Sequence, residues 1–224
     1  MRSGIAIAAA LFALGIVGPA MGDAGSSVND GALQIALPHD GDEYSKLVAR
    51  AAAHDTGVDF RALRFAWLKS AARRNDKADH SALKDALLAA VKSGDDRRVR
   101  DVAAKMVSAN YTDMFGHKFL RQACARLHDD ACAEQGHFVE FGLLKSIVAT
   151  GDGKTCDTGW EVVAVTEEYF MIDMMGDTPA EQSLIQGKHG ACDLLHVRDE
   201  DGKPQDYYFR IDAVLADESS MLGH

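Results

Sequence analysis

Apolar residues recur along the first two thirds of the chain at helical spacing. Tyr44, Leu47, Val48, Ala51 and Ala52 fall at i, i+3, i+4, i+7 and i+8, one face of a helix that an Asp40 and Glu43 capping box would start. Asp59 opens a second helix bearing Phe60, Leu63, Trp67 and Ala71. Leu83, Ala86, Leu87, Ala90 and Val91 mark a third, and Val99, Val102, Ala103, Met106 and Val107 a fourth, with Ser93-Gly94-Asp95 between them. A fifth carries Phe115, Phe119, Ala123 and Leu127, and a sixth Phe138, Phe141, Leu144 and Val148. No proline interrupts the chain from His39 to Asp177, so none of these helices is broken from within. The break Gly94-Asp95-Asp96 returns as His128-Asp129-Asp130, 34 residues on, which is the period of tetratricopeptide hairpins, although the Trp, Gly, Tyr and Pro positions of that repeat are not filled. The pattern predicts about six helices as antiparallel hairpins, either tetratricopeptide-like or an ordinary bundle.

Beyond Gly153 the spacing changes. Glu161–Val165 and Glu168–Met174, rich in Val, Tyr, Phe and Ile, read as strands. Asp193–Arg198 and Asp206–Asp212 flank the turn Asp199-Glu200-Asp201-Gly202-Lys203-Pro204 and read as a hairpin, with Tyr207, Phe209 and Ile211 on one face. The fold class predicted is α+β: a helical region over 39–150, then a small antiparallel β-sheet in a β-rich region over 151–224, packed as one unit. In a strand, Glu167-Glu168 would send one carboxylate inward, which favours a turn or bulge there or an acid presented to a cleft between sheet and helices.

The N-terminus reads as an address. Arg2, the apolar run Ile5–Val17 and the small residues around Pro19-Ala20-Met21-Gly22 form a cleavable secretory signal over 1–22. The run is shorter than the ~20 residues that span a bilayer and no basic stop-transfer residues follow, so no stable membrane insertion is expected after cleavage. Residues 23–38, rich in Gly, Ser and Ala without a period, read as a flexible lead-in. The expected location is periplasmic or secreted, and that changes the reading of Cys124, Cys132, Cys156 and Cys192. An even count in an oxidising compartment favours two disulfides over metal ligands or free thiols. Cys124 and Cys132 bracket the turn between two helices, where a bridge would staple the hairpin, and Cys156 is then left to pair with Cys192.

Composition narrows the function classes. With 47% hydrophobic residues in 224, the chain can close a core without a cofactor, and none is expected. Its net charge of −10 repels phosphate backbones and anionic lipid heads, which disfavours nucleic-acid binding. Gly153-Lys154-Thr155 looks like the end of a phosphate loop, but Val148 stands where that loop requires glycine. Gly151-Asp152-Gly153 with Asp157 lacks the alternating ligands and terminal Glu of a calcium loop and reads as a polar turn. Ser146 lacks the glycine-flanked elbow of a hydrolase nucleophile. The better constellation is Glu134, His137 and Glu140 on successive helical turns, with His117 on the preceding helix able to face them. Such a set suits zinc or proton transfer, since imidazole titrates near neutrality; the competing reading is a solvated face, or a histidine hydrogen-bonded between helices. The candidate catalytic residues are His117, His137, Asp152 and Glu168, at the junction of helices and sheet, and the weaker metal set is His117, His137 and Glu140.

Several strings in this order resemble a known family. VDFRALRFAWLKS at 58–70, Asn110-Tyr111 with His117, GLLKSIVATGDGKT at 142–155, Val165-Thr166-Glu167-Glu168-Tyr169-Phe170 and Tyr208-Phe209-Arg210-Ile211 look like the exported bacterial family called domain of unknown function 4919. The resemblance spans residues 58 to 212 and implies export and a single folding unit, with no assigned activity. The family pattern has Asn after the Tyr-Phe pair where this chain has Arg210, and its cysteines are not part of that pattern. The expected function is therefore an exported binding or scaffold module engaging a protein or peptide partner, with a hydrolase or metal-dependent enzyme as the alternative.

Overall fold

The computed structural model describes residues 33–221. The signal peptide expected at 1–22 lies outside them. Helices α1 (Glu43–Ala52), α2 (Phe60–Leu68), the single turn α3 (Ala71–Arg74), α4 (His80–Ser93), α5 (Asp96–Ala109), α6 (Met114–Arg126) and α7 (Asp130–Val148) follow one another. All but α3 are opened by an aspartate: Asp42, Asp59, Asp79, Asp95, Asp113 and Asp129 each accept the backbone N–H three residues on. A carboxylate satisfies an orphan donor there and meets the positive end of the helix dipole. Part of the chain's acidity is thus architectural, and the cap of α1 is Asp42 where the sequence pointed to Asp40.

α4 packs on α5, α5 on α6 and α6 on α7, α1 packs on α2, and α2 packs against α7. Repeat stacks touch only sequence neighbours, so this last contact makes the helical region a bundle and not a tetratricopeptide-like array. Cys124 is bonded to Cys132, with Cα atoms 5.8 Å apart, across the α6–α7 turn. The end of the lead-in is tied to the body: Leu33 and Ile35 pack on the core, and Ala36 N donates to Ser108 Oγ.

The C-terminal third departs from expectation: the strand expected over Glu161–Val165 is confined to Trp160–Glu161, with Val165 already helical, a helix not expected follows from Asp212, and three larger differences stand beside these. It contains a 3₁₀ turn (Cys156–Thr158), β1 (Trp160–Glu161), α8 (Val165–Met175), β2 (Thr178–Gln186), β3 (Ala191–Arg198), β4 (Pro204–Arg210) and α9 (Asp212–Met221). First, the segment read as a strand over Glu168–Met174 is helical. A short apolar run does not distinguish strand from buried helix, and here Glu167 and Glu168 in the first turn and Gly176 in the left-handed conformation at the end settle for helix. No turn or bulge separates the two glutamates. Second, β2 was not anticipated, because an edge strand exposed on both faces carries no apolar alternation. Third, the sheet is mixed, not purely antiparallel: its order is β1-β4-β3-β2, with β2–β3 and β3–β4 antiparallel and β1 parallel to β4. The β3–β4 hairpin itself forms as expected, with Gly202 at φ 78 in its turn. Cys156 is bonded to Cys192 on β3, Cα atoms 5.7 Å apart.

One core joins the two regions. Leu63, Leu143 and Ile147 from the helices meet Trp160, Phe170, Ile172, Leu195 and Phe209 from the sheet and α8, all buried. Among the described residues no helix is long and apolar enough to cross a membrane.

Candidate functional site

The residues singled out by helical spacing do not converge. Glu134 and His137 are exposed, and the His137 ring lies on Phe141, centroids 4.3 Å apart. Glu140, one turn on, is fully buried and held by Arg121, Nε to Oε2 at 2.6 Å. His117 is also buried, its Nε2 2.9 Å from the Tyr111 carbonyl and its Nδ1 without a partner. Burial pushes it down to about 4, so it is neutral at pH 7. Asp152 is exposed and shapes a turn, accepting from Thr158 Oγ1 at 2.6 Å and Lys154 N at 3.1 Å; these bonds hold its carboxyl below the usual range. Glu168 is buried on α8 beside Asp193 of β3, with Gln182 Nε2 bonding both carboxylates, at 3.4 and 2.7 Å. Burial first, and Asp193 second, push Glu168 up to about 9. Among the described residues no hydrogen bond or ion pair joins any two of His117, His137, Asp152 and Glu168. Nor are His117, His137 and Glu140 a metal set. The one cluster with metal-ligand spacing there is Cys124, Asp129 and Cys132, but its sulfurs are bonded to each other and Asp129 caps α7.

A different place draws side chains together. An open groove of about 630 Å³ runs between the start of α2, the last turns of α7, β1 and the end of β4. Two of its lining residues, Ser146 and Glu161, are bonded to Arg64, a fully buried arginine on the apolar face of α2. Arg64 clasps Glu167 of α8 through Nε at 2.8 Å and Nη2 at 2.6 Å, and Nη2 also donates to the Glu161 carbonyl at 2.8 Å. Its Nη1 lies 3.4 Å from Ser146 Oγ on α7, and Glu167 accepts from Val163 N at 2.9 Å. Each buried charge is therefore paired and its remaining sites hydrogen-bonded, the condition under which such a pair is tolerated. One guanidinium locks α2, α7, β1 and α8.

The walls carry further charge. Arg61 pairs with Glu161, Nη2 to Oε2 at 2.5 Å. Glu161 N donates to Thr150 Oγ1 at 2.8 Å, and Arg210 donates to the Gly159 and Thr150 carbonyls at 2.9 and 3.2 Å. Lys145 stands exposed on α7. Gly142 admits the Phe60 ring, because a Cβ at that position would lie 2.2 Å from Phe60 Cε2. The strings 58–70, 142–155 and 208–211 thus supply most of the groove lining, and 165–170 supplies Glu167, the partner of Arg64. The model of the family described as domain of unknown function 4919 matches residues 39–220. The chain belongs to this family. No curated protein and no solved structure matches it.

Periodicity missed Arg61, Arg64, Lys145, Glu161, Glu167 and Arg210 as site residues, although all lie in or beside those strings. One signal was legible: Arg64, three residues before Trp67 and next to Leu63, puts a charge on the apolar stripe of α2, which demands a buried partner.

Proposed function

We propose that this member of the family is an exported binding module that holds a segment of a protein or peptide in the groove between α2, α7, β1 and β4. The observation that carries the reading is the groove itself: open to solvent, lined by apolar and charged groups side by side, with Ser146 and Glu161 of its lining bonded to the buried Arg64. Preorganised walls of mixed chemistry suit recognition, since little ordering is lost on binding. Export is supported by the apolar run Ile5–Val17 with small residues after it and by two disulfides. The enzyme reading draws on His117, His137, Asp152 and Glu168, which have separate partners and, among the described residues, no hydrogen bond or ion pair between them. The test is capture from the cell envelope with the wild-type protein beside Arg61→Glu, a change on the exposed wall. A partner retained by the wild type and lost by a variant of unchanged melting temperature supports the reading. Identical captured sets refute it, and an intact mass retaining residues 1–22 refutes export.

A further inference from the structure

We propose that the groove recognises the C-terminal carboxylate of a peptide, received by Lys145 and Arg210; this rests on reading the groove as a peptide site. Asp59, Glu161, Arg61, Lys145 and Arg210 line it, an excess of one positive charge in a chain of net charge −10. The three cations differ in what they have left to offer. Arg61 is neutralised by Glu161 and its guanidinium lies over the Phe65 ring, 4.6 Å from the centroid. Arg210 is different. Its Nε and Nη2 are bonded to two uncharged carbonyls, and among the described residues no carboxylate lies within 4 Å and Nη1 has no protein partner. The two carbonyls fix the guanidinium in place without cancelling its charge, which preorganises a donor for a planar anion. Lys145, likewise without an ion pair among the described residues, lines the same groove.

The charge count chooses the ligand. A dianionic phosphate, or a run of acidic side chains, would meet Asp59, Glu161 and the acidic surface, whereas one negative charge balances the groove. A chain terminus brings that single charge on an otherwise neutral segment. Phe60 and Ala149 on the lining give an aliphatic last residue apolar surface to cover.

The experiment titrates the full mature protein into N-terminally labelled pentapeptides of alternating alanine and leucine, read by fluorescence anisotropy at pH 7 and low salt. Three forms are compared: free acid, C-terminal amide, and amide with one internal glutamate. The free acid is expected to bind, and either amidation or Lys145→Glu in the protein to weaken binding by about tenfold or more, the scale of one charge-assisted contact. The melting temperature of Lys145→Glu checks that the fold is intact. Equal binding of acid and amide overturns the carboxylate inference and leaves the peptide reading standing. Equal binding of the internal-glutamate form overturns the choice of a terminus, as does inorganic phosphate displacing the free acid at low millimolar concentration. Wild-type affinity in Lys145→Glu overturns its role. Absence of saturable binding by every probe up to about 1 mM overturns the peptide reading with it.

Discussion

Glu168 makes the stability of this protein fall as pH rises, and one substitution should remove its share of the effect. The side chain is fully buried, Oε1 has no partner, and its carboxyl is pushed up to about 9 by burial, by the charge of Asp193 and its hydrogen bond, and by Glu167. The folded protein therefore holds a proton at neutral pH that the unfolded chain, with a value near 4.5, has released. The contribution is whole below the unfolded value and gone above the folded one, at about 1.4 kcal/mol per pH unit. His117 acts oppositely: with its value lowered from 6.5 to about 4, it loses stability as pH falls through that window. The two slopes oppose each other up to about pH 6.5; from there to about 9 Glu168 loses about 3 kcal/mol, and Asp113, whose carboxyl is also pushed up by burial, acts in the same direction. Glu168→Gln keeps the shape, stays neutral and can still donate to Asp193. Urea unfolding followed by circular dichroism between pH 6.5 and 9 should show the wild-type decline, while the variant, sharing every other titration, should gain about 3 kcal/mol on the wild type over that interval. Parallel pH profiles for the two proteins would refute a proton on Glu168.

Three further expectations follow from the packing. Arg64→Met leaves Glu167 buried without its partner and should cost about 3–5 kcal/mol in urea unfolding, with most of the loss recovered when Glu167→Leu is added. Gly142→Ala drives a Cβ into the Phe60 ring and should destabilise by about 1–3 kcal/mol; combining it with Phe60→Ala should cost less than the two singles summed, and additivity would argue against the contact. Serine at Cys156 and Cys192, which lie 36 residues apart, should lower stability by about 4 kcal/mol on the loop-closure scale, against about 2.5 kcal/mol at Cys124 and Cys132, which lie 8 apart. Equal losses would count against loop closure as the cause.

Local chemistry in the sequence determined the parts of this protein whose reasons are local. Apolar residues at helical spacing identified α1, α2, α4, α5, α6 and α7 as helices, and in α1 and α5 also the buried stripe; in α7 the face expected from Phe138, Phe141, Leu144 and Val148 is half exposed while Val139, Leu143 and Ile147 are buried, and in α6 Leu120 and Cys124 are buried in place of Phe115 and Phe119. A glycine in a polar turn identified the β3–β4 hairpin, and the short break between Cys124 and Cys132 identified their bridge. Tertiary structure decided where local preference is balanced or silent. The apolar run through Phe170 and Ile172 suits strand or helix equally; beside the local signals at its two ends, the helix lets Glu167 reach Arg64 and Glu168 reach Asp193 and Gln182 at once. An edge strand such as β2 takes its hydrogen bonds from β3 and leaves no apolar signature of its own. The groove was least legible of all, because it joins Arg61, Lys145, Glu161 and Arg210 from four elements, and distances between them exist only after the core has closed. Helical spacing places Glu134, His137 and Glu140 on successive turns, but it cannot tell that one side of α7 meets Arg121 while the other faces water.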